Sequence, residues 1–194
     1  MNKIIRNTII LTVITLVSGL LLGVAYEVTK DPIAQANEEA KKEAWQAVFP
    51  DADIDAFETV DVDQDIAKQA ISDAGIEGSI DEVSAVDGGE AGYVITGTDG
   101  EGYGGDIQMT VGITADGSIS GISFLSISET AGLGMKAREE SFYGQYVGVQ
   151  ADQFYVSKDG GEGEPIDAIS GATITSRAVT GGVNAAIAYF QNAF

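Results

Sequence analysis

The chain contains no cysteine and no histidine. The first absence removes disulfides, thiolate nucleophiles, cysteine-ligated iron–sulfur clusters and lipid anchoring through an N-terminal cysteine. The second removes Ser-His-Asp triads and His-ligated haem, and the two together remove ordinary zinc sites. Bases are also scarce: 10 Lys and Arg stand against 30 Asp and Glu, a net charge of −20 over 194 residues. Phosphate-backbone binding needs clustered Lys and Arg, and here they are scattered, so nucleic acid is not a partner. An acidic surface promotes solubility and repels like-charged partners, and it also suits a positively charged redox partner. Any redox chemistry has to come from an organic cofactor, because the polypeptide has few groups that react; no catalytic residue and no metal ligand set is nominated.

One region has almost no charge at all. Residues 7–26, NTIILTVITLVSGLLLGVAY, carry none, whereas Lys3 and Arg6 precede them and Glu27 follows. A helix of that length spans about 30 Å, the thickness of a hydrocarbon core. The basic flank predicts a cytoplasmic segment 1–6, a transmembrane helix 7–26, and everything after it on the extracytoplasmic side of the cell membrane. The rival is a cleaved signal peptide ending near Ala34-Gln35-Ala36. The apolar stretch is longer than such signals need, and Glu27, Lys30 and Asp31 stand before that site, so a retained anchor is predicted.

Residues 27–50 read as a helical connector, rich in Ala, Glu and Lys over 33–48 and stopped at Pro50-Asp51. Residues 51–194 read as a separate domain. Its segment 64–74 has Ile66, Ala67, Ala70 and Ile71 at helical spacing, with Asp63 as N-cap. Strands are predicted at 93–98, at 106–113 with Ile107, Met109, Val111 and Ile113 on one face, and at 118–127 after the hairpin signal Ala115-Asp116-Gly117. A helix is predicted over 136–147 with Phe142, Tyr143 and Tyr146 on one side. Another is predicted over 177–194 with an apolar stripe of Val179, Val183, Ala186, Ile187, Phe190 and Phe194. The fold class is therefore α+β, one membrane helix followed by a mostly antiparallel sheet with helices packed on it.

Two apparent motifs fail on context. Gly100-Glu101-Gly102-Tyr103-Gly104-Gly105 matches GxGxxG, but a strand follows it where a dinucleotide site needs a helix. Asp61, Asp63 and Asp65 begin like a calcium loop, yet Ile66 and Ser72 stand where glycine and a bidentate glutamate are required.

The stretch with the most to explain is DAISGATITS, residues 167–176. Gly171 and Ala172 leave no bulk near the backbone, which allows a large planar group to approach. Thr173, Thr175 and Ser176 crowd hydroxyls ahead of the C-terminal helix, whose free N–H groups suit a phosphate. The plainer alternative is that Thr175 or Ser176 caps that helix.

Asp167-Ala168-Ile169-Ser170-Gly171-Ala172-Thr173 resembles the D-x-x-(S/T)-G-A-T motif of the FMN-binding domain family. The segments GYGGDI (102–107) and SETAGLGMK (128–136) are similar to that family's GYGG and ETPGLG segments, and the membrane helix running into YEVTKDPIA (26–34) resembles the start of the G subunit of Rnf complexes. Ala131 departs from the family's proline, which loosens the loop without removing a functional group. The resemblance implies FMN joined by a phosphoester to Thr173, a bond made by a separate flavin transferase with FAD as donor. It implies a flavin site built from Asp167, Ser170, Gly171, Ala172, Thr173, Thr175 and Ser176 and from Glu129, Thr130, Gly132, Leu133 and Gly134. It further implies an electron-transfer subunit of a membrane-bound ion-translocating ferredoxin:NAD oxidoreductase, partnered by the other membrane and redox subunits and without independent turnover. The related C subunit of the sodium-translocating NADH:quinone oxidoreductase, an independent extracellular flavin carrier, and a tethered non-redox binding module stand as alternatives.

Overall fold

The computed structural model describes residues 2–194 and begins with a helix, α1, that runs from Lys3 to Val48 without a break. The two helical stretches expected before and after residue 27 are thus one element, with Pro32 inside it. The chain forms two units, one ending at Lys41 and the other spanning Lys42–Phe194. In the first unit the apolar residues from Ile4 to Val24 all face outward, and the helix is long and apolar enough to cross a membrane. Its backbone groups bond within the helix, as lipid requires, and it fits a single membrane span.

The second unit has the predicted α+β fold class. After α1 come β1 (Phe57–Val60), α2 (Gln64–Ala74), β2 (Gly78–Val86), β3 (Gly92–Asp99), β4 (Ile107–Thr114) and β5 (Ile119–Ser126). The five strands pair antiparallel with sequence neighbours, in the order β1-β2-β3-β4-β5. A 3-10 turn (Gly134–Arg138), the one-turn helix α3 (Glu140–Tyr143), a parallel pair β6 (Phe154–Val156) and β7 (Glu164–Ile166), and the helix α4 (Thr173–Ala193) complete it.

Local chemistry accounts for most of these bounds. The Asp63 carboxylate accepts the N–H groups of Asp65 and Ile66, capping α2, and Gly75 ends that helix at φ 67°. The acidic triplet that mimics a calcium loop therefore includes a helix cap. Gly117, at φ 86°, turns β4 into β5, and its N–H donates to the Thr114 carbonyl. The segment 100–105 is the turn between β3 and β4.

The core lies between one sheet face and the helices. Ile107, Met109, Val111 and Ile113 are all buried there, under Ala178, Val179, Val183, Ala186 and Ile187 of α4. The predicted stripe frays at its end: Phe194 is 52% exposed, although its ring stacks on Tyr93 at 3.6 Å. The other sheet face packs Phe57, Val86 and Val94 against Trp45, Val48 and Phe49, from the end of α1 and the residue after it. Val48 approaches so closely because Gly112 and Gly121, register partners on β4 and β5, lie beneath it.

Two expectations need correction. The predicted strands do not include β1, β2, β6 or β7; in β2 a bulge between Ile80 and Glu82 shifts the alternation, so its apolar residues do not read at period two. The helix predicted over 136–147 is instead the 3-10 turn and α3, separated by an extended Glu139 (φ −86°, ψ 139°). Phe142 and Tyr146 are nevertheless buried, meeting edge to face at 6.0 Å, so aromatic packing rather than a regular helix holds this segment.

Candidate flavin site

The candidate cleft is built around the start of α4. That helix begins at Thr173, about one turn before the predicted Arg177. Its N-cap, Ala172, makes no side-chain hydrogen bond, and the first N–H bonded back within the helix is that of Ser176, to the Ala172 carbonyl at 3.0 Å. Among the described residues no side chain caps the N–H groups of Thr173, Ile174 and Thr175 at this helix end, the arrangement that attracts an anion. This overturns the plainer reading of the hydroxyls. Ser176 lies within the helix, donating to the Ala172 carbonyl at 2.9 Å and accepting the Ile169 N–H at 3.0 Å, which ties the preceding turn to α4. Thr175 is likewise internal and 1% exposed.

The cleft, about 550 Å³, is bounded by Thr173, Thr175, Gly171 and Ala172 on the α4 side. Across from them stand Glu129, Thr130, Leu133 and Gly134, following β5. Two segments far apart in sequence therefore meet on one cavity, of a size ordinary for a small-molecule site. The 129–134 loop is a tight turn: the Thr130 carbonyl accepts from Leu133 and Met135 at 3.1 and 3.2 Å, and Gly132 takes φ 75°. Ala131 occupies that turn where proline would stiffen it. Gly134 is required for a steric reason, since a Cβ there would lie 2.5 Å from the Glu129 Oε2 and 2.6 Å from the Thr175 Oγ1. Gly171, at φ 79°, directs the chain past the cleft with only Leu133 nearby.

Of the other nominated residues, Gly132 shapes the loop, and Ser176 lies beneath the surface. Asp167 and Ser170 border an adjacent depression with Lys136 and Glu139. The Asp167 carboxylate accepts the Ser157 hydroxyl at 3.0 Å, while its backbone is held by Gln145. Tyr103 and Ile174 line the cleft without having been nominated. Tyr103 falls within GYGGDI, so the signal was present as a segment, and Ile174 is simply the residue after Thr173. Tyr103, Leu133 and Ile174 are 71%, 43% and 46% exposed, an apolar rim suited to a flat aromatic group. An apolar rim, a backbone kept bare by glycine, and an uncapped helix N-terminus beside a half-buried threonine fit a flavin ring, its close approach and its phosphate respectively.

Comparison with known proteins agrees with this geometry. Residues 102–188 match the model of the FMN-binding domain, and residues 1–48 match that of the RnfG N-terminal region. The G subunit of the proton-translocating ferredoxin:NAD(+) oxidoreductase complex of Clostridium ljungdahlii is 32% identical over 96% of this chain and 91% of its own. The G subunit of the Na(+)-translocating complex of Acetobacterium woodii is 36% identical, covering 95% and 90%. The G subunit of the ion-translocating oxidoreductase complex of Methanosarcina acetivorans is 32% identical, covering 97% and 95%. The chain belongs to this family of ion-translocating oxidoreductase G subunits, an FMN-binding domain preceded by the RnfG N-terminal region.

Proposed function

We propose that this chain is the flavin-carrying electron-transfer subunit of an Rnf-type, membrane-bound ion-translocating ferredoxin:NAD oxidoreductase, with FMN held by a phosphoester at Thr173. The observation that carries the reading is the placement of Thr173: it is the first residue of a helix with no capping side chain, on a cleft shared with the 129–134 loop. FMN, when bound, supplies the capacity to accept and donate electrons that the Cys- and His-free chain lacks.

The chain's own groups bind and orient. The first N–H groups of α4 and its dipole favour the phosphate, Gly171 and Gly134 keep the backbone clear, and Leu133, Ile174 and Tyr103 offer apolar contact. Attachment requires no cysteine or histidine from this chain. In the reaction of a flavin transferase, the Thr173 Oγ1 would form a bond to the FMN-side phosphorus of FAD as the bond to AMP breaks. The hydroxyl proton is lost, and AMP leaves with the bridging oxygen. Once tethered, the flavin rebinds intramolecularly at an effective concentration on the order of millimolar, so an open cleft can retain it. Openness in turn leaves the ring accessible to other redox subunits of the complex. The basic flank of residues 1–6 orients the anchor with the FMN domain on the extracytoplasmic side, where lost FMN would not readily be replaced. Relatives named for protons and for sodium are similarly close to this chain, so the role proposed for it is electron relay rather than choice of ion.

The test is intact and peptide mass of the full chain co-expressed with a flavin transferase. An added FMN less one water, located at Thr173 on the peptide from Asp167 to Arg177, is the expected result. An unmodified peptide beside an active transferase overturns the reading.

A further inference from the structure

Asp99 ends β3 with a side chain that is 0% exposed. One carboxyl oxygen accepts the Glu101 N–H at 2.7 Å, and the other is buried with no hydrogen-bond partner among the described residues. Room for it is left by α4, where Gly181 and Gly182 stand opposite. A Cβ on Gly181 would lie 3.0 Å from the unpartnered oxygen and 2.5 Å from Ile76, and one on Gly182 would press on Met109 at 2.8 Å. A half-satisfied carboxyl in such a place is a cost to stability that a neutral residue would avoid.

Its position points to what is gained. Asp99 is the root of the loop 100–106, and the tip of that loop reaches the cleft: Tyr103 lines it, and the Gly104 N–H donates to Glu129 Oε1 at 3.2 Å. One carboxyl therefore holds the root and a second holds the tip. The helix that backs the first begins at Thr173.

We propose that Asp99 is a positioning residue for the flavin cleft: its hydrogen bond to Glu101 sets how the loop 100–106 lies beside the cleft, and gain or loss of its proton loosens or tightens that loop. The flavin part of this rests on the function proposed above; the loop part does not. Among the described residues no cation faces Asp99. Its own loop presents the carboxylate of Glu101, with Asp106 close to Gly100, and the packed elements present Gly181, Gly182, Ile76 and Met109. Burial, helped by repulsion from Glu101 and opposed by the Glu101 N–H bond, raises this carboxyl to about 6. Above that pH the charged oxygen holds the Glu101 N–H strongly; below it the neutral carboxyl is the weaker acceptor.

The experiment is amide hydrogen exchange on the full chain in detergent, as wild type, Asp99→Asn and Asp99→Ala, at about one pH unit either side of the midpoint and corrected for intrinsic exchange. In the wild type, protection of the Glu101 and Gly104 amides should fall about tenfold from the higher to the lower pH, the order expected when a charge-assisted hydrogen bond weakens. Asp99→Asn keeps an acceptor but cannot ionise, so its protection should be the same at both. Asp99→Ala should be unprotected at both, and if it does not fold, Asp99→Asn alone decides the matter. The same proteins carrying flavin should show iodide quenching of flavin fluorescence that follows the exchange. A pH response retained in Asp99→Asn, or wild-type protection in Asp99→Ala, overturns the proposal. Failure of the wild type to take up flavin would count against the FMN assignment, while the exchange measurements still judge Asp99.

Discussion

Thr173 and Thr175 stand two residues apart on the same cleft, yet they occupy different environments. Thr173 is half-buried at the first position of α4, where it lines the cleft, whereas Thr175 is 1% exposed beneath Gly134. Thr173→Ala should therefore abolish covalent flavin by intact mass and leave the melting temperature nearly unchanged, since this side chain is only half-buried and makes no hydrogen bond among the described residues. Thr175→Ala should retain the attachment and lose about 1 kcal/mol of stability, the usual cost of a small buried vacancy. Asp99 gives a second prediction at this scale. Burial, above all, raises its carboxyl in the folded state from 3.8 to about 6, so its stabilising contribution is complete below about pH 4 and is lost as pH rises through about 6. That shift corresponds to about 3 kcal/mol. The stability difference between Asp99→Asn and wild type should accordingly move in favour of the variant by up to that amount from about pH 4 to about pH 7. Denaturant titrations at the two pH values measure it, and a constant difference would refute the burial argument. The sequence made most of the cleft legible, because the resemblance of GYGGDI, SETAGLG and DAISGAT already named its pieces. It did not reveal Asp99, since one aspartate among 30 acidic residues carries no mark of burial until β3 and α4 are packed together.

Glycines set the assembly of elements on the back of the sheet, where α1 ends. A Cβ on Gly121 would lie 2.9 Å from the Val48 Cα, and one on Gly112 would lie 2.9 Å from the Val48 Cβ and 3.0 Å from Phe49. These contacts are with a Cα, a Cβ and a ring, which cannot easily give way. Gly121→Val should cost about 1–3 kcal/mol, the usual penalty of overpacking, by lifting the end of α1 from the sheet. The single tryptophan reports on this directly: Trp45 is 8% exposed and stacked on Phe57 at 5.5 Å. Its emission should shift red in the variant before global unfolding, and unchanged emission would mean that Val48 does not depend on the glycine pair. The same elements show what periodicity can and cannot convey. β4 alternates cleanly and has one face in the core, and α2 has its cap and stripe in order, so both were predictable. β2 hides its alternation behind a bulge, and β1 is too short to signal above its surroundings. α4 starts early because Thr173 and Ile174 carry no core contact, leaving the apolar stripe silent about the first turn.

Charge divides the whole molecule along the same line as its two units. Up to Lys41, the acids Glu27, Asp31, Glu38 and Glu39 are matched by Lys3, Arg6, Lys30 and Lys41, so the entire net charge of −20 belongs to the unit from Lys42 onward. The first unit therefore brings an apolar surface without net charge, and the second brings a buried core within a strongly anionic exterior. A single-signed exterior opposes compaction, and that opposition falls as salt screens it over a Debye length of about 10 Å at 0.1 M. A protein of residues 42–194 should thus be soluble without detergent, keep Trp45 in its buried environment, and accept flavin from the transferase. Its melting temperature should climb as monovalent salt is raised from about 0.05 M to about 0.5 M, because like-charge repulsion is the term being screened. Thermal unfolding followed by Trp45 emission measures both properties at once. If the truncated chain aggregated or exposed Trp45, its core would have to depend on the residues before Lys42. If its melting temperature fell with salt, specific ion pairs such as Arg177–Asp159 would outweigh the net repulsion in holding the domain together.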